Sequence, residues 1–121
     1  MPIQHKHGQK GEELAAAHLA EQGLVILERN WRVGQYEIDI IAQDQGVLVF
    51  VEVKTRSHGQ YGPPEEMITV EQWDRIAHTG GLYMRKIDYD WEVRFDIVAV
   101  RLFPDGAHSV RHFQNVFWPW S

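Results

Sequence analysis

A chain of 121 residues with 44% hydrophobic and 24% charged side chains is large enough for one core and too apolar for a disordered segment. Without cysteine it has no disulfide and no thiolate metal site, and a net charge of −5 argues against a protein that holds duplex nucleic acid by bulk charge. No apolar run reaches the length of a membrane span, and the opening Met1-Pro2-Ile3-Gln4-His5-Lys6-His7 lacks the apolar stretch of a signal peptide. The expectation is a cytoplasmic, non-membrane single domain over 1–121, with residues 1–7 a flexible tail and the core at about 8–117.

In chain order, Gly8 to Gln22 reads as a helix, since Glu12, Ala15, Ala16, Leu19 and Ala20 follow a 3.6-residue spacing and Gly23 is a natural stop. Glu12 lies in line with the apolar stripe, where it serves either the helix dipole or a site over the neighbouring sheet. Leu24 to Trp31 reads as a strand with Val25, Ile26 and Leu27 at its core.

Tyr36 to Ala42 and Val47 to Lys54 are two β-rich runs around Gln43-Asp44-Gln45-Gly46, the pattern of an antiparallel hairpin. With Gln45 and Gly46 as the loop, Asp44 pairs with Val47, Asp39 falls opposite Glu52, and Glu37 falls opposite Lys54. Glu37, Asp39, Glu52 and Lys54 then share one face, and Ile38, Ile40, Val51 and Val53 share the other. Like charges opposite one another destabilise a sheet, and this strand is apolar on both faces. A carboxylate pair there calls for a cation, a raised pKa or an open sheet end; the plainer alternative is a solvated ladder in which Lys54 neutralises Glu37 or Glu52.

Thr55 to Pro64 has loop composition, and Arg56, His58 and Tyr61 suit phosphate and base contacts. Thr69-Val70-Glu71-Gln72 is a capping box that opens a second helix to about Arg85, with Trp73, Ile76, Ala77, Gly80 and Tyr83 or Met84 as its buried stripe. Trp91 to Phe103 reads as a strand, Pro104-Asp105-Gly106 as a turn, and Ala107 to Phe117 as a final strand before an apolar tail. His108 and His112 have helical spacing inside this last strand, which argues against a histidine metal site.

Several blocks occur together in order: Gly11-Glu12, Asn30-Trp31-Arg32, Glu37-Ile38-Asp39-Ile40-Ile41-Ala42, Val49-Phe50-Val51-Glu52-Val53-Lys54-Thr55-Arg56 and Arg94-Phe95-Asp96. Over about residues 8 to 102 the chain resembles the YraN-like family, UPF0102. That family is similar to archaeal Holliday junction resolvases within the restriction-endonuclease-like, PD-(D/E)xK, superfamily. The resemblance implies an α/β fold with a mixed, largely antiparallel sheet of about five strands flanked by helices, and by analogy a homodimer. It implies Asp39 and Glu52 as ligands of Mg²⁺ or Mn²⁺, aided by the Val53 carbonyl and by Glu12, with Lys54 beside the attacking water. Two positions depart from the pattern: Tyr36 stands where the family usually has glycine. Gln72 stands where it commonly has a lysine, and is the candidate phosphate contact there. The implied activity is Mg²⁺-dependent hydrolysis of phosphodiester bonds in structured or branched DNA; the alternative is a non-catalytic module that binds nucleic acid or protein.

Overall fold

The computed structural model describes residues 2–57, 62–63 and 66–116, and the side chains from residue 8 onward. Helix α1 spans Pro2–Glu21, strand β1 Val25–Val33, β2 Tyr36–Asp44, β3 Val47–Arg56, helix α2 Val70–Lys86, β4 Val93–Leu102 and β5 His108–Phe113. The strands form one sheet in the order β1-β2-β3-β4-β5. Only the β3–β4 pair is parallel, joined by the crossover through α2; the other three pairs are antiparallel. This is the mixed five-strand sheet flanked by helices that the resemblance implies.

Each helix covers one face. α1 lays Ala15 and Leu19 on Ile40, Ala42, Val49, Val51, Val98 and Val100. On the opposite face α2 lays Trp73, Ile76 and Tyr83 on Ile41, Phe50, Phe95 and Ile97. Both helices approach the sheet through a glycine. A methyl group at Gly11 would meet the Thr55 Oγ1 at 1.9 Å, and one at Gly80 would meet the Phe50 ring at 2.9 Å. Gly80 therefore has a packing reason within a helix, where glycine is otherwise unfavourable.

Local signals fixed several boundaries. Thr69 accepts from the Gln72 amide at 3.1 Å while the Gln72 side chain accepts from the Thr69 amide at 2.9 Å, a complete capping box. Gly23 ends α1 at φ 96°, and the Leu24 amide returns to the Leu19 carbonyl. Gln45 and Gly46 both have positive φ, which a two-residue hairpin turn of the right twist requires.

Other expectations give way. α1 runs six residues further toward the N-terminus than Gly8, through the segment expected as a tail; Pro2 opens it, at the position where proline costs a helix no hydrogen bond. Val25 and Leu27 are not core, being 58% and 38% exposed, because β1 is a sheet edge and Leu24 takes the buried place. β4 starts at Val93, leaving Trp91 exposed, and β5 ends at Phe113. The second helix buries Thr79, which the stripe omitted; its hydroxyl donates to the Arg75 carbonyl at 2.6 Å. His58, Tyr61 and the tail Phe117 to Trp120 lie outside the described residues. No helix among the described residues is long and apolar enough to cross a membrane.

Candidate active site

The hairpin has the even register: Asp44 pairs with Val47, and the ladder continues through Ile41↔Phe50 to Ile40↔Val51. There it stops. Beyond it the Val53 amide donates not to a backbone carbonyl but to the Asp39 Oδ2 at 2.8 Å. β2 meanwhile stays paired to β1 through Arg29↔Ile40 and Trp31↔Ile38. The two strands therefore part at Asp39, and a side chain fills the gap in the ladder.

This splitting corrects one expected face. Ile40, Val51 and Val53 share the α1 side, but Ile38 packs with Ile41 in the α2 cluster. Opposite Asp39 in β1, Asn30 adopts a positive φ of 52°, and an irregularity lies between Ile26 and Glu28. Strict alternation fails where both neighbours are distorted.

Asp39 and Glu52 come together at the parted end. Burial raises both carboxyl pKa values, that of Asp39 well above the ordinary range. The Glu52 charge and a shared hydrogen bond raise Asp39 further, while the Val53 amide opposes the shift. For Glu52, the bond to Asp39 and the Lys54 ammonium act downward, and Glu37 and Glu12 act upward. Of the two, Asp39 is the one pushed further toward the protonated form, and Glu52 is the one its neighbours help to ionise.

Glu12 approaches from α1, on the helical turn that the Gly11–Thr55 contact presses against β3. Burial and the charges of Asp39 and Glu37 raise its pKa. It is tied down by Asn30, whose Nδ2 donates to Oε1 at 2.7 Å. Glu37 does not pair with Lys54: its partner is Arg32 of β1, at 2.8 Å. Of the two partners that the ladder offered Lys54, Glu37 is thus taken by Arg32, and Glu52 remains its carboxylate neighbour. Arg56 is exposed at the end of β3.

An open cleft of about 240 Å³ lies over the pair, lined by Gln35, Tyr36, Glu37, Asp39, Glu52, Gln72, Arg75 and Ile76. Gln72 reaches it from the first turn of α2. Arg75 was not singled out from sequence, yet it stands three residues after Gln72, so both project from one side of the helix. That spacing was the available signal. Such a cleft is smaller than the pockets that enclose small molecules, and suits a group presented by a larger substrate. His108 and His112 are not a metal pair. Four strand residues separate their backbones by about 13 Å, and His112 Nε2 is bonded to Asp96 at 2.7 Å.

Among the described residues no three or more His, Cys, Asp or Glu side chains gather to hold a metal ion. Two carboxylates do gather, and burial raises both pKa values despite the Lys54 ammonium beside Glu52. Mg²⁺ needs only one or two protein carboxylates, because it keeps waters and takes oxygens from a phosphate substrate. In an extended strand the amide and carbonyl of one residue face the same neighbour, so the Val53 carbonyl also faces the gap beside Asp39. The donor set fits a hard divalent cation.

The family model described as Uncharacterised protein family UPF0102 matches residues 11–100. The chain belongs to that family. Among its relatives, a UPF0102 protein of Solibacter usitatus is 48% identical over 79% of this chain and 75% of its own length. One of Symbiobacterium thermophilum is 45% identical over 91% of this chain and 94% of its own. One of Phocaeicola vulgatus is 36% identical over 98% of both. Among solved structures, Pyrococcus furiosus SfsA in complex with Ca²⁺ aligns with a TM-score of 0.42 at 15% identity, over 92% of this chain and 63% of that one.

Proposed function

We propose that this UPF0102 protein is a divalent-metal-dependent nuclease that hydrolyses phosphodiester bonds in structured or branched DNA. The observation that carries the reading is the Asp39–Glu52 pair: two carboxylates at the parted end of a hairpin, both pushed toward the protonated form, with Asp39 fixed by the Val53 amide. Burying two neighbouring carboxylates is costly to a fold, which makes a functional origin the better account.

Asp39, Glu52 and the Val53 carbonyl would hold Mg²⁺ or Mn²⁺, with the charge of Glu12, which acts on both carboxylates, adding to the attraction for the ion. Bound there, the ion supplies Lewis acidity toward water and toward the phosphate oxygens. Lys54 follows Glu52 by two residues on the same face of β3, so its ammonium stands beside the carboxylates and can donate to the attacking oxygen or to the phosphate. Gln72 and Arg75 offer N–H donors from the α2 side of the cleft, where they orient the phosphate and offset its charge.

The test is calorimetric titration of Mn²⁺ into the parent and into Asp39→Ala and Glu52→Ala, followed by incubation with a four-way junction and linear single- and double-stranded DNA. The expected result is binding and cleavage by the parent alone, with at least a hundredfold loss in either variant. A parent that binds Mn²⁺ no better than the variants and cuts no substrate overturns the reading in favour of a binding module.

A further inference from the structure

The face of the sheet that α2 covers continues past the carboxylate pair, and its composition changes there. On β3 the side chains of Phe50, Glu52, Lys54 and Arg56 alternate onto this face. The parallel register sets Lys54 beside Ala99 and Arg56 beside Arg101; the antiparallel register sets Ala99 beside Arg111 and Arg101 beside Ser109. Two adjacent rows across three strands thus read Lys54-Ala99-Arg111 and Arg56-Arg101-Ser109. On the opposite face the same strands carry Val98, Val100, Leu102 and Val110, which pack under α1. Four cations of an acidic chain are sorted onto one face, beginning at the proposed catalytic pair and ending at β5, the open edge of the sheet.

The way two of these cations are held separates them from ordinary surface charges. Arg101 lies over the Phe103 ring at 4.8 Å, and Arg111 lies over the Phe113 ring at 5.0 Å. Neither is in a salt bridge to a described residue, whereas Arg32 spends its fork on Glu37, and Arg94 spends its own on Asp96 and Asp44. An aromatic face fixes a guanidinium without consuming its in-plane N–H donors, which stay available to a phosphate. Among the described residues the buried Arg101 Nε has no hydrogen-bond partner, so this guanidinium is not already satisfied there by a protein acceptor. Asp105, the acid of the adjoining turn, is folded back onto the Ala107 amide at 3.0 Å.

We propose that Arg101 and Arg111, continuing from Lys54 and Arg56, form the track along which one strand of the nucleic acid leaves the catalytic pair toward the β5 edge. This rests on the phosphodiester-substrate reading above and adds the direction of the strand and the residues that carry it. A single strand fits the surface. The track is narrow, about 10 Å across two strand spacings, and it joins cations to phenylalanine rings, the combination that binds single strands with little sequence preference. With a net charge of −5 the chain does not supply the bulk positive charge that a wrapped duplex demands.

The experiment compares the parent with an Arg101→Ala/Arg111→Ala double variant, an Arg101→Lys/Arg111→Lys double variant and Arg111→Glu. Fluorescence anisotropy of labelled single-stranded and duplex oligonucleotides is read across a salt series in Ca²⁺, with Mn²⁺ calorimetry on the same proteins. The alanine variant is expected to bind single-stranded DNA at least tenfold more weakly. Its slope of log affinity on log salt should be shallower by about 1.4, two phosphate contacts at about 0.7 each. Its Mn²⁺ binding should equal the parent's. The lysine variant should recover part of the affinity, and Arg111→Glu should weaken binding even if the double variant folds poorly. Unchanged affinity and slope in the alanine variant, with a parent that binds and cleaves, overturns the track and leaves the nuclease reading standing. Loss confined to duplex DNA overturns the single-strand assignment. A parent that binds no nucleic acid overturns both.

Discussion

Two aspartates of one sheet, Asp39 and Asp96, are solved in opposite ways. Asp96 is fully buried in β4, yet its pKa is held below the ordinary value of 3.8. Burial alone would raise it, but His112, both donors of the Arg94 fork and the Asn115 amide overcome that cost. Asp39 has one amide donor and a second carboxylate, and its pKa moves up. Burial is common to both; the neighbours differ. A structural carboxylate brings its counter-charges with it; Asp39 is left short of them, which is the pattern of the ligand role proposed for it.

The comparison is broken most sharply at Asp96. Asp96→Ala leaves Arg94 and His112 facing an uncompensated site on the α1 side of the sheet, and breaking a buried ion pair from one side costs about 3–5 kcal/mol. Urea unfolding should show that loss, with Mn²⁺ binding by the folded fraction unchanged; an effect below about 1 kcal/mol would mean that Asp96 is not the hub it resembles. His112→Ala removes only one of its donors, together with the edge contact between the His112 and His18 rings at 6.3 Å. A hydrogen bond to a charged group contributes about 1.5–3 kcal/mol, so this variant should fall between the parent and Asp96→Ala on the same urea scale.

The division between legible and hidden features follows sequence distance. The turn at Gln45-Gly46, the capping box at Thr69 and the stop at Gly23 are local chemistry, and period two then fixes which side chains of β3 share a face with Glu52. The companions of those side chains come from afar. Asn30 ties Glu12 from eighteen residues away, and the parting of β2 from β3 turns Ile38 to the unexpected face; Arg32, only five residues from Glu37, is the local exception. Arg94-Phe95-Asp96 stood out as a block, but its purpose depends on Asp44, His112 and Asn115, from two other strands and the segment after β5. Exposure of Val25 and Leu27 likewise depends on β1 lying at the edge, which no window of sequence reveals.

The subtler arm of the comparison is Asp39→Asn, because it changes the sign of the effect. The amide cannot ionise, keeps a carbonyl oxygen to accept from the Val53 amide, and removes a charge that Glu52 opposes. Substitutions that relieve such functional strain stabilise by about 0.5–2 kcal/mol, here in chelator-treated buffer. The pH dependence separates cause from coincidence. The raised pKa values of Asp39 and Glu52 mean that the folded parent binds protons more tightly than the unfolded chain. Stability is therefore lost as pH rises from the ordinary values of 3.8 and 4.5 through the raised ones. Asp96 works the other way: its contribution is present above 3.8 and is lost as pH falls through its depressed value. Asp39→Asn should flatten the decline on the alkaline side of 4.5 and leave the acid-side loss untouched. Added Mn²⁺ should remove most of the parent's deficit relative to this variant, because a bound cation takes over the role of the shared proton. An Asp39→Asn protein no more stable than the parent at neutral pH, with the same pH slope, would mean that the carboxylate pair is already satisfied and is not held ready for a ligand.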